Sequence, residues 1–249
     1  MKNYFYFSVL SILLLFDGCS GEDINESKSP DILIPATSEH FSFVLYDGLP
    51  ESIIAPIIAR LEENYGRIRD DLDLNSINKV TVKIWNDETH YLNDMQNDIG
   101  TRYPGSTGYV YSATEVRILN RGSPAQNVLH EFCHAASMAV NSRIGNNPRW
   151  LWEAVAIYES GEFKDPRTIG YLVSGNFPTI SELNSDFNAG NYKIYDVGYL
   201  LSEYIIYSSG KNAFINLIKS NGNIQQSLGV TTEQFEEAWK RFVQNKYLK

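Results

Sequence analysis

The stretch that most constrains this chain is residues 124–141, where a single helix is expected to carry His130-Glu131-Phe132-Cys133-His134. Residues four apart stand one above the other on a helix, so His130 and His134 can aim both imidazoles at one metal ion, and the pair suits zinc. Glu131 follows the first histidine and is placed to hold a water beside such an ion and take its proton as general base. The helix start is well marked: Ser123 can cap, Pro124 fits the first helical position, and Gln126 completes a Ser-x-x-Gln capping box. Val128, Leu129, Phe132, Cys133, Ala136 and Val140 form an apolar side, while Gln126, His130 and His134 run up another at fourfold spacing.

A catalytic zinc usually takes three protein groups and keeps a fourth position for water, so two histidines leave one ligand to find. The next helix offers a carboxylate. Asn147 can cap it, Pro148 can start it, and Gly161 is placed to end it. Within it, Glu153 sits among Trp150, Leu151, Ala154, Val155, Ala156 and Ile157. An unpaired ionised Glu there would be costly, and a metal would relieve that cost. The other two of the four histidines, His40 and His90, have no partner at ligand spacing and read as ordinary surface or core residues. Cys133 points to the apolar side and reads as a small core residue.

His-Glu-x-x-His, then Glu153 inside Trp-Leu-x-Glu-Ala-x-Ala-x-Tyr, resembles the gluzincin metallopeptidases, the group of thermolysin and the aminopeptidase-N-type enzymes, and the spacing is that of the aminopeptidase-N type. Downstream, Tyr195-Asp196-Val197-Gly198 is similar to that family's Tyr-x-x-Gly element. The resemblance implies that Tyr195 donates a hydrogen bond to the tetrahedral oxyanion, with Tyr192 the nearest substitute. It further implies a zincin fold of α+β class: a small mixed sheet, the His-Glu-x-x-His helix, and a mainly helical C-terminal lobe. The chain departs from the aminopeptidases in lacking a Gly-x-Met-Glu-Asn segment upstream; Gly105-Ser106-Thr107-Gly108-Tyr109 is the nearest counterpart. Endopeptidase and exopeptidase action therefore stay open. Ser137 and Val140 stand where metzincins have Gly and a third His.

At the start, Met1-Lys2-Asn3 precedes thirteen mostly apolar residues, Tyr4 to Phe16. As a helix these would rise only about 20 Å, too short to span a bilayer and suited to a secretory signal. Gly18-Cys19 resembles a bacterial lipobox, which implies signal residues 1–18 and lipidation at Cys19. Export follows, to a bacterial outer membrane lipoprotein facing the periplasm or the cell surface. If Cys19 carries lipid, Cys133 is the only other cysteine and no disulfide framework exists. Residues 19–39 are polar and acidic, with Pro30 and Pro35, and read as a flexible tether.

The expected domain spans 40–249, with an α/β lobe over 40–145 and a mainly helical lobe over 146–249. Its opening reads as β-α-β: a strand at 41–46, a helix over 50–70, and a strand at 79–85. A short helix over 87–98 follows, then one or two strands between 105 and 119, which the resemblance makes the substrate rail over residues 108–119. Residues 161–190 are loop-rich, and helices are expected at 195–207, 211–219 and 231–246. Glu159 and Asp196 are the nearest candidates to hold the histidines from behind.

With 21 basic and 30 acidic residues the net charge is −9. The chain has no basic cluster, which disfavours nucleic acid. The leading expectation is a zinc-dependent peptidase, monomeric, acting on peptide or protein substrates at the cell envelope and held to the membrane by its N-terminal lipid. The competing one is a surface binding or adhesion lipoprotein that keeps the fold without turnover. Retention of Glu131 favours catalysis, because a purely structural zinc needs no base.

Overall fold

Strand β2 (Phe41–Leu45) alternates inward Phe41, Phe43 and Leu45 with half-covered Ser42 and Val44, and β3 (Val80–Trp85) repeats the pattern with Val80, Val82 and Ile84. Period-two alternation puts one apolar row on one face of the sheet. The two strands lie parallel, Phe41 opposite Val80 and Leu45 opposite Ile84, and the connection between them is helix α1 (Ile54–Asp71). Its Ile54, Ile57, Leu61, Tyr65 and Ile68 fall at helical spacing and are buried. The β-α-β opening is therefore formed.

This computed structural model describes residues 36–185 and 192–249. The signal stretch, Cys19 and most of the expected tether lie outside the described residues, as does the end of the 161–190 loop. The described residues belong to one compact unit. Its sheet has five strands in the order β1-β2-β3-β5-β4. Strand β1 (Ala36–Thr37) pairs antiparallel with β2, β5 (Glu115–Leu119) parallel with β3, and β4 (Gly108–Ser112) antiparallel with β5. The architecture is thus mixed α/β with a small mixed sheet. Helix α2 (Glu88–Ile99) closes a second, smaller core in which Tyr91 and Met95 meet Trp85, Tyr109 and Leu119.

The pairing corrects the width of the expected rail. Strand β5 is bonded on both sides, to β3 and β4, so of these two strands β4 alone has an edge without a partner among the described residues. Residues 115–119 cannot receive a chain by strand addition.

Helix α3 (Pro124–Val140) lies along β4 and β5 on one side and against α1 and α4 (Arg149–Glu159) on others. Enclosure on so many sides buries Glu131 and His134 together with the apolar residues around them, so the helix has no simple division into core and polar faces. The expected capping box does not form. Ser123 makes no side-chain cap, and Gln126 instead accepts from Arg60 and donates to the Ser160 carbonyl. Asn147 is likewise not the cap of α4, a place taken by Pro148.

The C-terminal part is helical. Short α5 (Gly170–Val173) and α6 (Ile180–Leu183) interrupt the expected loop. They are followed by α7 (Ile194–Ser209), α8 (Lys211–Lys219), α9 (Ile224–Leu228) and α10 (Thr232–Val243). Helix α7 packs very closely on α4. A Cβ on Gly198 would stand 2.8 Å from Ile157 Cδ1 and 3.2 Å from the Ala154 Cα. One turn on, Ser202 Oγ donates to the Ala154 carbonyl at 2.8 Å. Among the described residues no helix is long and apolar enough to cross a membrane.

Glu159, expected near the histidines, faces the other way. It is 1% exposed and receives Arg67 Nη1 at 2.8 Å. Burial, reinforced by Asp71 and opposed by Arg67, pushes its carboxyl from 4.5 up to about 7. The folded chain therefore holds this proton more tightly than the unfolded chain does. The group favours folding at low pH, and that contribution is lost as pH rises from 4.5 to about 7. Arg67→Met strands the buried carboxylate and is expected to cost about 2–3 kcal/mol at pH 8, tempered by the solvent that reaches Arg67. The loss should shrink at pH 5, where Glu159 is protonated. Urea melts of both chains at the two pH values check this, and an equal loss at both would contradict it.

Candidate metal centre

Two helices build the centre. Helix α3 supplies His130 and His134 one turn apart, and α4 crosses it to bring up Glu153. Glu153 Oε2 lies 3.4 Å from His130 Nε2 and 3.6 Å from His134 Nε2. One donor atom from each of the three residues falls within 4.8 Å of the others. These are the three residues expected as ligands, and together they could hold a metal ion.

The arrangement fits a cation on grounds other than spacing. Among the described residues, buried Glu153 Oε2 has no hydrogen-bond partner, and neither has His134 Nδ1. Buried polar atoms are rarely left so, and a carboxylate oxygen aimed at two imidazoles has no reason to stay dry unless something charged completes it. Two imidazoles and one carboxylate are also a donor set suited to zinc, with a further position open.

The charges of the set are tuned by depth and by one another. Burial opposes ionisation of Glu153, but His130 and His134 outweigh it and hold this carboxyl far below the usual range. Burial also opposes the cation on His130, yet Glu153 and Glu162 raise its pKa well above the ordinary value. His134 goes the other way: burial lowers its pKa despite Glu153, so it is a neutral imidazole. Glu131 is pushed up to about 8 by burial, with His130 opposing and Glu153 and Glu162 adding to the rise.

Glu131 owes its place to a glycine. A Cβ on Gly108 would stand 2.7 Å from both Glu131 Cγ and Glu131 Oε1. Only a residue without a side chain lets edge strand β4 lie this close to the carboxylate.

Tyr195 stands at the start of α7, its ring centre 6.4 Å from that of His130. The close α4–α7 packing at Gly198, one turn further along, is what brings it there. Although the residue as a whole is 39% exposed, desolvation and the nearby Glu153 and Glu131 raise its phenol pKa. It therefore stays a hydrogen-bond donor at neutral pH. Tyr192 precedes the helix and is 58% exposed.

The group behind His130 is neither Glu159 nor Asp196. Asp196 pairs with Lys164 and accepts from Tyr171 Oη. Glu162 takes the role, its Oε1 lying 2.7 Å from His130 Nδ1 and accepting from Ser160 Oγ at 2.6 Å. A carboxylate there fixes the tautomer that leaves His130 Nε2 facing Glu153. Glu162 was missed because it lies past the end of α4 in irregular chain. Gly161 turns with φ of +78°, and the Glu162 amide folds back onto the Ile157 carbonyl. A helix-ending glycine followed at once by an acid is the signal that could have found it.

His40 and His90 stand away from the centre, bonded to Glu62 and Asp47 respectively. Cys133 is free and fully buried. Compared with known proteins, the chain matches no family model, and no curated protein matches it either.

Proposed function

We propose that this chain is a zinc-dependent metallopeptidase of gluzincin type with a zincin fold, anchored at the bacterial cell envelope through Cys19. The observation that carries the reading is the buried donor set of His130, His134 and Glu153 with the Glu131 carboxylate beside it. A purely structural site has no use for that extra acid. Bound at the three donors, zinc would supply Lewis acidity, sharpening the acidity of a water and polarising the substrate carbonyl.

The chain's own residues do the rest. Glu131 takes a proton as the water oxygen bonds to the carbonyl carbon, then gives that proton to the amine nitrogen as the C–N bond breaks. One carboxylate placed between the attacking water and the leaving amine serves both halves of this transfer. Tyr195 keeps its proton and donates a hydrogen bond to the oxyanion. Strand β4 offers its free edge to an extended substrate, and its closeness to Glu131 would bring the scissile bond to the base.

Gly108→Ala tests that closeness. Its Cβ forces Glu131 or the strand to move, and misplacement of about 1 Å can cost on the order of 100-fold. The expected result is a fall in kcat toward that figure with zinc affinity kept, and unchanged kcat would contradict it.

The reading itself is tested by incubating the full-length chain with a quenched fluorescent peptide library and zinc, reading cut sites by mass spectrometry. Cleavage abolished by a chelator and restored by zinc is expected. A chain that binds zinc and cuts nothing in the library would overturn the peptidase and favour the binding lipoprotein.

A further inference from the structure

We infer that Trp152 is the positioning residue for His134, holding that imidazole by ring stacking where a carboxylate holds its neighbour. The inference rests on the metal-site reading above.

The two histidines stand in unlike surroundings. His130 is pinned through Nδ1 by Glu162, which is itself held by Ser160. His134 has no such anchor among the described residues: its Nδ1 is buried and bonds to none of them. Instead its ring lies flat on the Trp152 indole, with centroids 4.0 Å apart and planes 13° from parallel. Trp152 is 6% exposed and so is fixed by its own packing. It also immediately precedes Glu153 on α4. One helix thus presents, from consecutive positions, a carboxylate toward the Nε2 edge of His134 and an indole to the face of its ring.

Such a contact has a specific consequence. The outer torsion of a histidine side chain is broad and intrinsically ill-defined. A hydrogen bond at Nδ1 normally fixes it in metal sites. Here the indole face replaces that restraint, because turning the imidazole out of the stack would drive its edge into the indole. The stack also favours the loaded state. A cation at Nε2 draws electron density from the imidazole, and the electron-rich indole face attracts the ring that results. The site therefore has two differently built supports, one polar and one aromatic.

The test compares the metal-stripped full-length chain with Trp152→Phe and Trp152→Leu. Zinc affinity is read by competition with a chromogenic chelator, and geometry by the visible spectrum of the cobalt-loaded chains. Loss of an orienting partner typically costs about 10–100-fold in metal affinity. Trp152→Leu should weaken zinc by that factor and alter the cobalt spectrum, while Trp152→Phe, which keeps a ring face, should restore both. Zinc binding should also change tryptophan emission in the wild type and leave that of Trp152→Phe unaltered.

A folded Trp152→Leu chain with wild-type zinc affinity and cobalt spectrum would overturn the inference. If Trp152→Leu does not fold, the emission comparison decides, and equal changes in wild type and Trp152→Phe would overturn it. A wild-type chain that binds no zinc removes the metal reading and this inference together. A wild type that binds while Trp152→Leu binds equally well removes only the role of Trp152.

Discussion

Glu131→Gln is expected to lower kcat for peptide cleavage by about 10²–10⁴-fold, the range typical of a lost general base. Glutamine keeps the length and volume of the side chain, so it still fits beneath Gly108, where space is tightest. What it loses is the capacity to take a proton, and an amide cannot replace that. The three donors His130, His134 and Glu153 are untouched, so zinc affinity should stay near wild type and KM should move little. Parallel measurement of kcat, KM and bound zinc separates this outcome from unfolding. A kcat within a factor of two of wild type would remove Glu131 from the chemistry.

Glu153→Ala should act on the metal itself. It removes the only carboxylate of the donor set and leaves two imidazoles, a poor site for zinc. In the wild type, zinc at 1,000 times its dissociation constant would stabilise the fold by about 4 kcal/mol. In a domain of this size that shifts Tm by on the order of 10 °C. The variant should show almost none of this shift at the same zinc concentration, whereas Glu131→Gln should retain it. Calorimetric scans with and without zinc check both. An equal zinc-linked shift in Glu153→Ala would show that the ion sits elsewhere.

Much of the centre could be read from the chain because its parts follow regular periods. His130 and His134 lie one helical turn apart, so their meeting follows from the helix alone. Glu153 was legible for a different reason: an acid embedded in Trp150, Leu151, Val155 and Ile157 needs a partner. The parallel pairing of β2 with β3 likewise follows from two alternating strands separated by one amphipathic helix. What escaped depends on irregular chain and on close approach. Glu162 reaches His130 only because Gly161 reverses the backbone after α4. Gly108 and Gly198 matter through atoms that are missing from them, and no hydrophobic period marks such places. The Ser123 capping box failed for a related reason: Arg60 on α1 and the Ser160 carbonyl claim Gln126, and neither is near it in sequence.

The most direct test of the zinc peptidase account is a zinc titration of the metal-stripped full-length chain, with peptide cleavage followed at each addition. The account predicts no cleavage without metal, then a rise in step with bound zinc that ends at one ion per chain. Cleavage by the stripped chain, or saturation with zinc and no cleavage at any point, would contradict it.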